Sequence, residues 1–237
     1  QHMVEAMVRL DADRKKIRLL MFGIDTRRFR PAEKDQTLLT ELNLAGSPTV
    51  ISIRNLLPVY NIESLIRAIP TVLKTVPATK FVIGGSGAEE AMLRELAASL
   101  AVSESIRFTG PILTSDLPRY LSSMDVYTST ALSDAGLASS TGEAMACGLP
   151  VVVTDSGENS LWIKDGEGGF LVPGRSPERL AEKLVRVLMD VGFRRAAGAA
   201  NRETIMARDD YYHEMAKMEI LCQEVTGIGR VSPVAHP

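Results

Sequence analysis

Short apolar runs alternate with stretches of helical periodicity along most of the chain. Residues 150–154 (PVVVT) are almost all β-branched, which is the composition of a strand buried on both faces. The predicted strands are residues 49–53, 80–83, 105–109, 126–128, 150–154 and 169–172. The predicted helices are residues 62–76, 88–100, 115–122, 139–147, 158–163 and 176–191, the last with Ser176 as N-cap. This alternation predicts an α/β fold, with a doubly wound, mostly parallel Rossmann-like sheet and helices on both faces.

The segments outside this alternation divide the chain further. Residues 17–22 (IRLLMF) are strongly apolar and predict a buried strand. Residues 25–36 are rich in charge and contain Pro31, which predicts a linker. The predicted divisions are a cloning remnant at 1–3, an N-terminal segment and linker at 4–46, the sheet domain at 47–195, C-terminal helices at 196–226, and a disordered tail at 227–237. The helical stretches predicted near the C-terminus are residues 193–206 and 208–225.

The composition excludes several classes of function. The 237 residues carry a formal net charge of -2, so we expect no electrostatic attraction to nucleic acid. No apolar run reaches the ~18–20 residues of a membrane helix. The cysteines, Cys147 and Cys222, are too few for a disulfide framework, which indicates a cytoplasmic protein. Cys147 is interpreted as a small core residue. The three histidines lie in terminal regions, so neither a His-based metal site nor a Ser-His-Asp constellation is predicted.

Two candidate features lie at the carboxyl ends of the predicted strands, where open parallel sheets bind ligands. The loop 84–87 (GGSG), which contains Gly85, allows close backbone approach to a phosphate. It lacks the Gly-Lys-Ser/Thr of a P-loop and a clean G-x-G-x-x-G, so tight-turn glycines are the favoured interpretation. Arg54 closes the first strand of the sheet domain. It is predicted either to bind an anion or to belong to a structural ion pair.

A stronger candidate is the small, polar stretch from Gly136 to Gly142, which leads into the helix that begins near Ser139. The unpaired N–H groups of that helix would face the ligand side of the sheet and form an anion site. Glu143, one turn further, would direct a carboxylate to the same place, where it accepts ribose hydroxyls. The alternative is that the hydroxyl residues at 139–141 only cap a helix.

Several motifs together resemble those of one large family. Residues 143–152 (EAMACGLPVV) resemble the hallmark helix–strand unit of the retaining, GT-B-fold glycosyltransferases that use nucleotide-diphosphate sugars, the glycosyl transferases group 1 family with the E-x7-E motif. Further matching segments occur in the family's order, at residues 23–25, 29–31, 54, 81–87, 107–110 and 166–173. The resemblance extends over about residues 4–225. It implies the C-terminal, nucleotide-sugar-binding half of a GT-B fold.

Matched position by position, the resemblance implies that Arg54 contacts the diphosphate of the donor and that Glu143 binds its ribose. These two are the implied catalytic residues. The full set implied to bind the donor is Arg54, Gly85, Arg107, Phe108, Ile112, Asp134, Gly136, Ser139, Ser140 and Glu143, with Arg107, Phe108 and Ile112 around the base. A guanidinium and helix N–H groups neutralise a diphosphate leaving group. We therefore expect no metal and no cofactor, and the nucleotide sugar is the substrate.

Two positions depart from the family's pattern. The family has a lysine six residues after Arg54, where this chain has Tyr60, and a glutamate eight residues before Glu143, where this chain has Ala135. The neighbouring Asp134 substitutes for that glutamate only in part. Losing one charge-assisted contact costs ~1.5–3 kcal/mol. The alternative to an active transferase is therefore a degenerate, non-catalytic relative that binds a nucleotide or a protein partner.

The resemblance also implies a partner domain, because the family binds its acceptor on an N-terminal domain and reacts in the cleft between the two. We expect such a domain to precede this chain, and the chain alone not to catalyse transfer. The full-length protein is expected in the cytoplasm or at a membrane surface. The strand at 17–22 and the last helix, which carries Met218 and Ile220, are expected to expose apolar surface that pairs in a homodimer.

Overall fold

The computed structural model describes residues 2–134 and 136–226. Its strands are β1 (Thr49–Ile53), β2 (Lys80–Gly84), β3 (Ile106–Gly110), β4 (Val126–Ser129), β5 (Val151–Thr154) and β6 (Gly169–Val172). They form a six-stranded sheet in the order β3-β2-β1-β4-β5-β6, and every neighbouring pair is parallel. Strands β2 and β3 are added on one side of β1, and strands β4 to β6 on the other. The ligand crevice of a doubly wound sheet opens at such a change in strand order, here between β1 and β4.

Helices cover both faces of this sheet. They are α1 (His2–Arg9), α2 (Gln36–Glu41), α3 (Ile62–Thr75), α4 (Glu90–Ser99), α5 (Leu117–Ser123), α6 (Ser139–Ala146), α7 (Asn159–Trp162), α8 (Pro177–Met189), α9 (Val191–Arg208) and α10 (Tyr211–Thr226). The predicted helices and the strands of the sheet domain are all confirmed, with ends shifted by at most three residues. Ser176 does occupy the N-cap position of α8, but its side chain makes no capping hydrogen bond.

The core consists of two hydrophobic clusters, one on each face of the sheet. Successive residues of a strand point to opposite faces, so Val50 packs with α3, α4 and α8, whereas Ile51 packs with α5, α6 and α9. In β5, Val152 joins the first cluster, and its neighbours Val151 and Val153 join the second. The prediction that this strand is buried on both faces is therefore confirmed.

The predicted strand at residues 17–22 is wrong, because these residues form neither strand nor helix. A strand needs a neighbouring strand to satisfy its N–H and C=O groups, and no described strand lies beside this segment. Instead, the Met21 N–H donates to Glu214 Oε2 at 3.0 Å, and the side chain of Phe22 is 95% exposed. Apolar composition alone did not distinguish this segment from a buried strand.

The predicted linker at residues 25–36 leads into helix α2, which the sequence did not predict. Asp35 is the N-cap of this helix, and its Oδ1 accepts a hydrogen bond from the Leu38 N–H at 2.9 Å. Phe29 and Leu39 belong to the second core cluster. Phe29 and helix α2 therefore pack on the sheet domain, whereas residues 30–34 between them are exposed.

The C-terminal helices hold the segment before β1 against the sheet. Arg202 of α9 donates through Nη1 to the carbonyl oxygens of Phe29 (2.6 Å) and Ala146 (2.8 Å). Met218 and Ile220 of α10 are exposed, as predicted. The homodimer stays a prediction. Residue 1, Ala135 and the predicted disordered tail at 227–237 lie outside the described residues.

Candidate functional site

A cleft of about 520 Å³ opens at the carboxyl ends of β1 and β2, and the first residues of α6 enter it. This is the edge at which doubly wound sheets bind ligands. The predicted donor-binding residues in its lining are Arg54, Gly85, Ile112, Asp134, Ser139 and Ser140. The other lining residues are Phe22, Ile53, Asn55, Tyr60, Gly84, Ser86, Pro111, Leu137 and Ala138.

Arg54 directly follows β1, and its guanidinium makes three contacts in the cleft. Its Nη2 forms an ion pair with Asp134 Oδ1, and its Nη1 donates to Ser140 Oγ at 3.4 Å. The guanidinium carbon lies 4.4 Å from the centroid of the Tyr60 ring, within the range of a cation–π contact. The side chains of Arg54 and Asp134 are only 9% and 10% exposed. Arg54 is therefore both an ion-pair member and the cation at the ligand edge of the sheet.

The turn that carries Tyr60 is hydrogen-bonded to the segment that leads to Asp134. The Leu132 N–H donates to the Val59 carbonyl oxygen at 2.8 Å, and the hydroxyl of Thr130 donates to the Tyr60 carbonyl oxygen at 2.9 Å. Because the two segments are joined through their backbones, the ring and the carboxylate are held on the same guanidinium.

Gly85 serves close packing between two loops. Its φ is 127°, and an added Cβ would overlap the carbonyl oxygen of Arg54. Its N–H donates to the carbonyl oxygen of Gly110 at 2.8 Å. These contacts agree with the favoured interpretation, in which the glycines allow a tight turn. A phosphate contact at Gly85 stays a prediction.

The first turn of α6 presents free donors to the cleft. Ala138 is the N-cap, and it makes no side-chain capping bond. The N–H groups of Ser139 and Ser140 have no acceptor among residues 2–134 and 136–226. The hydroxyl of Ser140 lies 2.8 Å from the hydroxyl of Tyr127, a buried tyrosine whose pKa is raised by burial. Ser140 thus links Arg54 to the core, a role beyond the capping that the sequence offered as its alternative.

Glu143 lies one turn into α6 and outside the lining that the structure describes for the cleft. Burial raises the pKa of its carboxyl to about 7, and the nearby charge of Arg28 offsets part of this rise. Its carboxyl makes no hydrogen bond to any described residue. At the end of the same helix, burial raises the pKa of the Cys147 thiol to about 12, which agrees with a core residue and not with a nucleophile.

Besides Glu143, the predicted donor-binding residues outside the lining of the Arg54 cleft are Arg107, Phe108 and Gly136. Arg107 and Phe108 line a separate hollow of about 450 Å³, because they sit within β3 and not beyond its carboxyl end. The Nε of Arg107 donates to the Leu42 carbonyl oxygen at 2.8 Å, and the Arg94 guanidinium stacks over Phe108 at 4.4 Å. Gly136 follows Asp134 in the same loop but is not among the lining residues.

Within the described parts of the chain, no group of three or more His, Cys, Asp or Glu side chains is arranged to hold a metal ion. No helix in residues 2–134 and 136–226 is both long and apolar enough to cross a membrane.

Comparisons with curated proteins identify relatives of this chain. It is 32% identical over 193 residues to a GDP-mannose-dependent alpha-(1-6)-phosphatidylinositol monomannoside mannosyltransferase of Mycobacterium tuberculosis, a match that covers 78% of this chain and 50% of the relative. It is 34% identical over 202 residues to a D-inositol 3-phosphate glycosyltransferase of Salinispora arenicola, which covers 78% of this chain and 45% of the relative. The chain spans about half the length of these curated relatives.

Solved structures show the same fold. The Anabaena protein HepE, in complex with UDP and glucose, aligns with a TM-score of 0.84 at 18% identity, over 93% of this chain and 60% of HepE. The C-terminal domain of the Francisella tularensis group 1 glycosyl transferase LpcC aligns with a TM-score of 0.71 at 23% identity, over 79% of this chain and 99% of that domain.

The model of the family described as "Glycosyl transferases group 1" matches residues 40–204. This span includes every strand of the sheet and the whole lining of the cleft except Phe22. The motif-based resemblance is therefore confirmed, and the chain belongs to the group 1 family of glycosyl transferases.

Proposed function

We propose that this chain is the donor-binding domain of a retaining, metal-independent glycosyltransferase of the hexosyltransferase type. It would transfer a sugar from a nucleotide-diphosphate sugar to an acceptor. The observation that carries the proposal is that the Arg54 guanidinium donates to the Ser140 hydroxyl and lines one cleft with Ser139 and Ser140, whose N–H groups have no acceptor among the described residues. A guanidinium and a helix N-terminus each attract anions, and here they face the same part of one cleft.

The size of the cleft and the ligands of similar proteins indicate which donors to test. About 520 Å³ lies within the ~300–1,000 Å³ typical of small-molecule sites. The mycobacterial relative is named as GDP-mannose-dependent, and the HepE complex contains UDP. GDP-sugars and UDP-sugars are therefore the first donors to test.

In the proposed reaction, the bond between C1 of the sugar and the β-phosphate oxygen breaks, and the acceptor hydroxyl oxygen bonds to C1. The bonding electrons leave with the nucleoside diphosphate, and the acceptor proton passes to that phosphate or to solvent. Arg54 and the N–H groups of α6 stabilise the charge that develops on the leaving group. Retention of the anomeric configuration is carried over from the family, and no carboxylate of the cleft is assigned as a nucleophile.

We further propose that an acceptor-binding domain completes the enzyme. This chain spans about half the length of the curated relatives. Phe22, at the mouth of the cleft, is exposed, as is Ile220 of α10. A homodimer that covers these residues is the alternative. Gel filtration showing a stable monomer, with both segments resistant to proteolysis, would count against either kind of covering partner.

A non-catalytic relative is the second candidate function. The observation that favours it is the Arg54–Asp134 ion pair, in which a carboxylate of the chain neutralises the guanidinium that a diphosphate would bind. In addition, the chain has the uncharged Tyr60 where the family has a lysine. Transfer assays on the full-length protein separate the two candidates, because only the enzyme forms a glycosylated product.

A calorimetric titration with UDP-, GDP- and ADP-sugars tests donor binding directly, with and without a chelator. We expect one class of nucleotide to bind equally well in both conditions, and Arg54→Ala to weaken the binding strongly. If no nucleotide binds to the folded protein, the donor-binding proposal is wrong. If binding survives both Arg54→Ala and Glu143→Ala, the site is assigned to the wrong residues.

A further inference from the structure

The anion that Arg54 meets in this structure belongs to the chain itself. The carboxylate of Asp134 pairs with Nη2 of Arg54, and both side chains are about nine-tenths buried. Charges in such a protected place are only weakly screened by salt. A diphosphate brought to the same guanidinium would face the negative charge of Asp134 at short range.

We propose that Asp134 is an internal competitor for the diphosphate of the donor, and that Tyr60 holds Arg54 where the two anions exchange. This inference rests on the proposed function and names the residue that sets donor affinity at the same site. Arginine binds a phosphate best with two parallel N–H donors. Asp134 takes one of the five N–H donors of this guanidinium, through Nη2, so a diphosphate that binds Arg54 through two donors either displaces this carboxylate or lies beside its negative charge.

The geometry keeps the competing carboxylate near the cleft. Gly157 has a φ of 60°, and an added Cβ there would overlap the carbonyl oxygen of Asp134. The backbone of Asp134 is therefore packed directly against the loop that follows β5 and contains Gly157. The carboxylate is released by rotation of its side chain, without withdrawal of the loop.

Tyr60 determines how strongly this competition is felt. Its ring covers one face of the Arg54 guanidinium at 4.4 Å and leaves the N–H groups, which lie in the plane of the guanidinium, available to anions. The ring orients Arg54 but adds no positive charge. Among the described residues, Arg54 is the one cation in an ion pair with Asp134.

The test compares Asp134→Asn with a matched control, Asp155→Asn, which makes the same change in an exposed residue just after β5. Each protein is titrated with UDP, GDP, UMP, GMP and pyrophosphate. We expect Asp134→Asn to bind pyrophosphate and the preferred diphosphate at least ~10-fold tighter, since a like charge close to the ligand is removed. The gain should be smaller for the monophosphates, and Asp155→Asn should behave as the wild type.

A merely structural role of Asp134 predicts a different pattern, with equal or weaker binding of every ligand. That result, seen in a wild type that binds diphosphates, overturns the inference and leaves the proposed function intact. If neither wild type nor variant binds any diphosphate, the proposed function fails and the inference fails with it. Asp134→Ser is the second variant. Thermal unfolding of both variants shows that a change in binding comes from a folded protein, and a gain shared by both supports the competition.

Discussion

The two charged ends of the proposed donor site, Arg54 in the cleft and Glu143 outside its described lining, differ in how the protein satisfies them. At one end, Arg54 has an ion pair, a hydroxyl contact and an aromatic ring. At the other, Glu143 is largely buried, makes no hydrogen bond to a described residue, and has its pKa raised to about 7. A ligand of the proposed donor site should therefore compete with Asp134 at the Arg54 end, whereas at the Glu143 end it should supply a hydrogen bond that no described residue makes.

Because of this difference, ligand affinity at the two ends should respond to different changes in the protein. In the proposed donor site, affinity at Arg54 should depend on competition between anions, which changes with the charge of Asp134. Affinity at Glu143 should depend on protonation, since an ionised carboxylate accepts hydroxyl donors better than a neutral acid does. Substitutions at each end should therefore leave different signatures.

Replacement of Arg54 should have the largest effect, because it removes the cation and leaves Asp134 facing the ligand. We expect Arg54→Ala to weaken binding of the preferred diphosphate ~1,000-fold, about 4 kcal/mol, as measured by calorimetry. Arg54→Lys keeps the charge but not the planar pair of donors, so its affinity for the diphosphate should lie between those of the wild type and Arg54→Ala. Equal binding by all three proteins would move the diphosphate away from Arg54.

Replacement of Glu143 should change stability in a pH-dependent way. Its pKa in the folded protein is about 7, against an ordinary value of 4.5. The folded state therefore holds the proton more tightly than the unfolded chain does, and this stabilisation is present below pH 4.5 and is lost as pH rises through 7. Glu143→Gln should be up to ~3 kcal/mol more stable than the wild type at pH 8 and about equal to it at pH 4.5.

Denaturant unfolding at the two pH values measures this effect, with Glu63→Gln as the control. Glu63 is a half-exposed residue of α3 that pairs with Arg67, so its replacement should be nearly neutral. Asp209, whose pKa is raised to about 6 mainly by burial, contributes a slope of the same sign in all three proteins. If Glu143→Gln shows the pH slope of the wild type, Glu143 does not carry the raised pKa.

Replacement of Tyr60 should have the smallest effect, because its ring contacts the Arg54 guanidinium and not an anion. Tyr60→Phe keeps the ring and should bind diphosphates as the wild type does, whereas Tyr60→Leu loses the cation–π contact and should bind about 5-fold weaker. Tyr60→Lys adds a positive charge and should bind tighter than the wild type. Dissociation constants for UDP and GDP measure this order, and a loss in Tyr60→Phe equal to that in Tyr60→Leu would contradict it.

Most of the fold was predictable because the local signals and the tertiary structure agree. Residues 169–172 form a strand with the predicted ends, and the β-branched run in β5 is buried on both faces. Residues 17–22 failed because pairing with another strand, and not composition, decides whether a strand forms. Helix α2 was missed although Asp35, a good N-cap residue followed by Leu38 and Leu39, was a visible signal.

The site was less predictable, since its decisive contacts join distant parts of the chain. The sequence marked Arg54 and Asp134 separately, but they are 80 positions apart, and their ion pair depends on the loop after β4. Tyr60 was noted as the loss of a lysine, whereas the structure adds its contact with the guanidinium. Arg107 and Phe108 matched the motif, but their place within β3 puts them beside another hollow.

Amide chemical-shift mapping with the preferred nucleoside diphosphate tests whether the diphosphate binds between Arg54 and the first turn of α6. We predict that the largest shifts occur at the N–H groups of Ser139 and Ser140 and at the Arg54 side chain, and that pyrophosphate alone reproduces them. Shifts confined to the hollow around Arg107 and Phe108, with the first turn of α6 unchanged, would contradict this location for the diphosphate.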